Sequence, residues 1–226
     1  MIQSNPILVI MAKEPLVGFT KTRLCPPLTL DEAARLYEAL LRDSISLAYS
    51  LDGINLAIAV TPPESIVYFK GISPPDTLLI PVECIDIGDC LTQVLGTLLD
   101  MGYPSVLAFN ADGPSVPQGY IQAAVGLLDE CDVVLGPSED GGYYLVGLKQ
   151  LHREIFVGAT WSTPKVLNQT LTKIQELGLE AELLPPWYDV DTAADIERMR
   201  SELAKLPPET LVHTRRFLAN FAAPDA

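Results

Sequence analysis

Short apolar runs alternate with segments of helical period along most of this chain. No other feature limits the fold as strongly. The runs "ILVIMA" (7–12), "INLAIAV" (54–60), "TLLIPVE" (77–83), "SVLAFN" (105–110) and "DVVLGP" (132–137) suit strands buried on both faces. Helical stretches lie between them. One runs from Leu30 to about Ala48, opened by Thr29 with Glu32 as a capping box, and a weak one lies around 63–70. Others cover roughly 89–101, Ser115 with Gln118 to about Glu130, and Thr163-Pro164 to Leu177. "EAELLP" (180–185) is a further strand, and Thr192 with Asp195 caps a helix through Lys205. "GYYLVGL" (142–148) follows "DVVLGP" across a turn, so one antiparallel or bent strand interrupts the pattern. The expected fold class is α/β, a three-layer α/β/α arrangement on a mainly parallel mixed sheet. It forms one domain over 1–206, followed by a C-terminal helix and tail over 207–226.

Composition narrows the chemistry. The 226 residues, 48% hydrophobic and 19% charged, can bury a sizeable core. A net charge of −14 argues against nucleic acid or an anionic membrane as partner. No apolar run approaches the roughly 20 residues of a membrane span, and no signal pattern opens the chain, so a soluble cytoplasmic protein is expected. Cys25, Cys84, Cys90 and Cys131 form no CxxC pair and are expected to be buried as small apolar residues. His152 and His213 are the only histidines, which disfavours a histidine-based triad. Carboxylates, lysines, arginine and a metal remain as tools.

In sheets of this type ligands bind beyond the carboxyl ends of the strands. After the first strand come Lys13, Gly18, Lys21, Thr22 and Arg23, a loop able to hold phosphates by charge and backbone N–H, or else a solvated surface loop. It matches neither GxxxxGK[ST] nor GxGxxG. After "SVLAFN" comes Asp112, either a divalent-cation ligand or an Asx-turn before Pro114. "SEDGGYYLVGL" places Glu139 and Asp140 before Gly141 and Gly142, whose backbone can pass close to a ligand or form a turn. "YDVDTAAD" supplies Asp189 and Asp191 before a helix N-terminus, a metal pincer or a helix-stabilising pair. Each motif is weak alone, but all four sit at strand ends. Lys13, Asp112, Asp140 and Asp191 are therefore expected to face one cleft. In the absence of metal the carboxylates are expected to repel one another.

The segments "AKEPLVGFTKTRL", "ADGPSVP", "GPSEDGGYYLVGL", "WSTPKVL" and "DVDTAADIERM" resemble the bacterial DUF2064 group, over about residues 7–200 and in the same order. That group is glycosyltransferase-like, of the GT-A or nucleotide-diphospho-sugar transferase fold. It is similar to 2-phospholactate guanylyltransferases and, more remotely, to molybdenum-cofactor guanylyltransferases. The resemblance implies a transferase using a nucleotide or nucleotide-sugar donor and a small-molecule acceptor. Lys13, Lys21 and Arg23 would meet phosphates, with Gly18, Asp86, Gly141 and Gly142 also at the nucleotide. Asp112, Asp189 and Asp191 would hold Mg²⁺ or Mn²⁺. Asp140 would orient or deprotonate the acceptor, and Lys21 and Arg23 would assist catalysis. Glycosyl transfer is the leading expectation, nucleotidyl transfer with pyrophosphate release the next, and nucleotide binding without turnover a third. The chain departs from the group at Phe19 and Cys90, where basic residues are usual, and at Gly113.

Overall fold

A computed structural model describes residues 3–221. Its described strands are β1 (Ile7–Lys13), β2 (Asn55–Thr61), β3 (Leu78–Pro81), β4 (Val106–Asn110), β5 (Val133–Pro137), β6 (Tyr143–Leu148) and β7 (Ala181–Leu183). The helices are α1 (Leu30–Tyr49), α2 (Ile66–Ile72), α3 (Ile87–Asp100), α4 (Gln118–Leu127), α5 (Val166–Glu176), α6 (Ala193–Leu203) and α7 (Val212–Asn220). The strands form one sheet in the order β3-β2-β1-β4-β6-β5-β7. All pairings are parallel except those of β6, which runs antiparallel to both β4 and β5. This is the mixed, mainly parallel α/β sheet expected from the alternation, with "GYYLVGL" as the reversed strand.

Strand residues alternate between two cores because successive side chains point to opposite faces. Leu8, Ile10, Ile58, Leu107 and Phe109 pack beneath α1 and α4, while Ile7, Val9, Ala57, Val106 and Ala108 pack beneath α3. A third cluster, with Leu36 and Leu40 of α1, Ile196 and Met199 of α6 and Leu218 of α7, ties the C-terminal helices to the body. Among the described residues no helix is long and apolar enough to cross a membrane.

The capping boxes at Thr29/Glu32 and Thr192/Asp195 form as expected. Two other helix starts differ. Ser115 does not cap α4: its Oγ accepts from Trp187 Nε1 at 3.1 Å, and Pro117 occupies the position before the helix. Pro164 does not open α5, which begins two residues later, because Pro164 packs against the backbone of Gly141. The cysteine expectation also needs correction. Cys131 is buried and Cys25 half-buried, but Cys84 and Cys90 are joined in a disulfide across the start of α3. Disulfides persist chiefly in oxidising surroundings, so the redox state of this loop is a variable in any assay.

Helix α7 has no cap from its own sequence, since Leu211 precedes it in a left-handed conformation. The cap comes from α1. Asp43, only 3% exposed, accepts from the backbone N–H of His213 at 3.1 Å and of Thr214 at 2.7 Å. Asp43→Ala strands both donors and should lower the unfolding free energy by about 2 kcal/mol. Denaturant unfolding should show a lower midpoint with an unchanged slope. Asp43→Asn, which keeps one acceptor oxygen, should lose about half as much.

Candidate active site

Strands β1, β4 and β5 point the same way, and β6 starts where they end. Lys13, Asp112 and Asp140 therefore all lie along one edge of the sheet. Beyond β7, a bridge between Ser138 and Trp187 carries the chain to Asp189 and Asp191 at that same edge. One common edge thus collects the loops that the sequence singles out.

At its centre is a buried ammonium. Lys21 has a side chain only 6% exposed, and its Nζ lies 2.6 Å from Asp191 Oδ1 and 3.0 Å from Asp112 Oδ1. Its backbone is left-handed, φ 49° and ψ 33°, an uncommon state for a lysine. Burial pulls the Lys21 pKa down, but the Asp112 and Asp191 carboxylates outweigh it and leave it raised. The solvated reading of this loop therefore fails for Lys21. The other two are open to solvent: Lys13 is exposed, with its backbone N–H donating to the Tyr37 hydroxyl, and Arg23 is 72% exposed and 4.0 Å from Asp191. Gly18 takes φ +81° in the turn between them. The expected repulsion among unmetallated carboxylates is relieved by Lys21 for Asp112 and Asp191 but persists between Asp112 and Asp189.

Asp189 completes the cluster from behind. Its Oδ1 accepts from Asn110 Nδ2 at 2.8 Å and its Oδ2 from Ser138 Oγ at 2.9 Å. Burial, and then the Asp112 carboxylate, raise its pKa to about 6. Neither Asn110 nor Ser138 stood out in the sequence, although both lie inside the strand-end motifs.

The donor set suits a hard divalent cation, with a qualification set by Lys21. Among the described residues no three His, Cys, Asp or Glu side chains converge as a ready-made metal cage. Lys21 stands between Asp112 and Asp191, and Asp189 is hydrogen-bonded to Asn110 and Ser138, so the three carboxylates do not converge on one point here. Yet Asp112 Oδ1 is buried and lacks an aligned hydrogen bond, since its 3.0 Å approach to Lys21 is an ion pair by distance only. That oxygen is already neutralised by the Lys21 ammonium, so a divalent ion would bind there by taking the place of Lys21. Asp112 and Asp191 fit such an ion, with Asp189 as a neighbour that fixes the surrounding geometry.

The acid–Gly–Gly turn forms the other half of the edge. Asp140 Oδ1 accepts from the Gly142 N–H at 2.9 Å. Gly141 takes φ +91°, and a Cβ there would lie 2.6 Å from Pro164 Cα, so only glycine fits. Glu139 has a structural partner instead: Arg198 grips it through two nitrogens at 2.7 and 3.1 Å while stacking 3.7 Å over the Tyr188 ring. Asp86 likewise has a local duty, capping α3 through the Asp89 N–H at 2.8 Å. Between this turn and α3 opens a cavity of ≈ 160 Å³ lined by Ile87, Leu91, Phe109, Tyr143 and Trp161. Asn110 and Asp140 stand on its polar side. The aromatic wall went unassigned in the sequence, although "WSTPKVL" carries Trp161.

The sequence model of DUF2064, an uncharacterized protein conserved in bacteria, matches residues 44–163, which is 120 of the 226. The chain belongs to the DUF2064 family. Among solved structures, the DUF2064 chain is similar to a protein of Desulfovibrio desulfuricans G20 provisionally named a nucleotide-diphospho-sugar transferase. Identity is 28%, the match covers 96% of each chain, and the TM-score is 0.88. More distant likenesses share the fold alone. One is 4-diphosphocytidyl-2C-methyl-D-erythritol synthase of Anaerococcus prevotii, at 9% identity, 88% and 96% coverage and TM-score 0.60. Another is Rv0371C of Mycobacterium tuberculosis in complex with manganese, at 15% identity, 86% and 97% coverage and TM-score 0.53. No curated protein matches the DUF2064 chain. Its fold is that of the nucleotide-diphospho-sugar transferases.

The raised pKa of Asp189 has a consequence for stability. A carboxyl held near 6 in the folded state, against an ordinary value of 3.8, favours folding below the unfolded pKa, and that stabilisation is lost as pH rises through the folded one. Between about pH 4 and 7, wild type should lose about 2 kcal/mol relative to Asp189→Asn, which cannot ionise. Denaturant unfolding of the two proteins across that range measures the difference. A constant gap would mean that Asp189 titrates normally.

Proposed function

We propose that this protein transfers a group from a nucleotide-activated donor, and that the group is a sugar passed from a nucleotide-sugar to the hydroxyl of a small acceptor. The observation that carries this reading is the pairing of two unlike halves at one sheet edge. The Lys21–Asp112–Asp191 cluster is built for a cation and phosphates, and Asp140 faces an apolar cavity beside it. Both halves fall within 1–206, the span proposed as the catalytic domain.

The residues divide the task by exposure. Lys21 is held by two carboxylates and sets their spacing. Arg23 and Lys13 are the exposed cations that meet the diphosphate directly. Gly18, Gly141 and Gly142 let the backbone come close to the ligand. Mg²⁺ or Mn²⁺, held by Asp112 and Asp191 with Asp189 behind, would supply Lewis-acid stabilisation of charge on the leaving diphosphate. Asp140 keeps one carboxylate oxygen outside its Gly142 hydrogen bond and takes the acceptor's proton. The acceptor oxygen bonds to the sugar's anomeric carbon, the bond from that carbon to the diphosphate oxygen breaks, and its electron pair leaves with the nucleoside diphosphate.

Nucleotidyl transfer is the second reading, favoured by the cations of the opening loop beside Asp112. There an acceptor phosphate attacks the α-phosphorus, pyrophosphate leaves, and no base is needed. Product analysis separates the two: nucleoside diphosphate released from nucleotide-sugars in the presence of Mg²⁺ or Mn²⁺ and an acceptor is expected, whereas pyrophosphate from a nucleoside triphosphate would favour the second. Asp140→Asn should lower kcat by about 10²- to 10⁴-fold with little change in donor KM if sugar is transferred. Nucleotide binding with neither product would leave only a binding role.

A further inference from the structure

The cavity beside Asp140 has a chemistry of its own. Its walls are Ile87, Leu91, Phe109, Tyr143 and Trp161, and among the described residues no lysine or arginine lines it. Among the described residues Asp140 is the only carboxyl on its rim, which disfavours an anion. A volume of ≈ 160 Å³ is about half the smallest pocket that encloses a whole drug-sized ligand, so it takes a single ring and not a nucleoside. The wall also supplies aromatic surfaces set at a steep angle, since the Tyr143 and Trp161 rings meet at 80° with centroids 6.3 Å apart.

Two further features mark the cavity as a built site. Asn110 lines it while donating to Asp189, so the apolar space and the cation–carboxylate cluster share one side chain. Its rim includes one uncommon backbone state, φ 62° at Ser162. Trp161 is braced from behind as well. A Cβ on Gly88 would lie 2.7 Å from the indole, so the glycine is what lets the start of α3 approach the ring so closely.

We propose that this cavity is the acceptor subsite and that the acceptor is an uncharged alcohol carried on one compact apolar ring. The ring packs against Trp161 and Tyr143, and the hydroxyl lies at Asp140. The assignment rests on the reading of the protein as a transferase to a hydroxyl, and it adds the class of acceptor.

The test uses the tryptophans. The chain has two, so Trp187→Phe leaves Trp161 as the sole emitter. Benzyl alcohol should change its emission saturably with a dissociation constant in the millimolar range, as suits so small a ligand, while benzoate should not. Leu91→Phe, which fills the cavity, should weaken the response at least about tenfold. Asp140→Asn should narrow the preference for alcohol over benzoate, and this second comparison decides the matter if Leu91→Phe fails to fold. Absence of a saturable response, equal binding of benzoate in wild type, or a response indifferent to Leu91→Phe would overturn the assignment. Nucleotide binding, measured in parallel by calorimetry, keeps the two readings apart. A donor that binds when the alcohol does not removes only the acceptor class. An alcohol that binds when no nucleotide does removes the donor reading.

Discussion

The arrangement of the site depends on one ion cluster, the Lys21 ammonium between Asp112 and Asp191. A lysine this deeply buried is tolerated only when opposite charge is close. Here two carboxylates at 2.6 and 3.0 Å supply it from different parts of the chain. Lys21 follows β1, Asp112 follows β4, and Asp191 precedes α6. The cluster therefore ties three loops that the sheet alone would leave free to move. The strained backbone at Lys21 is consistent with such a tie, because tertiary contacts hold it in a state the residue seldom adopts. Removing either partner carboxylate would leave charge unbalanced in a poorly solvated place, so the cluster should behave as a unit.

Much of the fold was legible because its signals are local. Apolar runs and helical periods name strands and helices one at a time, and the capping boxes at Thr29 and Thr192 are settled within four residues. The errors fall where a distant residue claims a local one. Ser115 is taken by the Trp187 indole and Pro164 by the Gly141 backbone, while the Cys84–Cys90 disulfide, six positions apart, is a local pairing outside the CxxC spacing. Helix α7 shows the converse, since the Asp43 that caps it lies 170 positions from His213 along the chain.

The same division holds at the site. Strand-end motifs brought Asp112, Asp140, Asp189 and Asp191 to one edge because parallel β1, β4 and β5 all finish there. Their pairing was not legible. Nothing in the spacing of Lys21 and Arg23 tells which lysine or arginine turns inward, yet one is 6% and the other 72% exposed. The cavity is harder still, since its wall draws on α3, β4, β6 and the loop before α5, residues spread from Ile87 to Val166.

The two halves of the edge differ in what water does to them. The ion cluster needs its charges matched, because a carboxylate deprived of both water and cation is costly, and Asp189 shows that strain in its raised pKa. The cavity is the reverse, with apolar walls from which water is readily displaced and a single carboxylate at the rim. Asn110 joins them without charge, donating to Asp189 on one side and bordering the ring site on the other. A neutral amide at that junction adds no charge to either half, where a lysine would place a cation against the apolar wall and a further carboxylate would add to the three already clustered there.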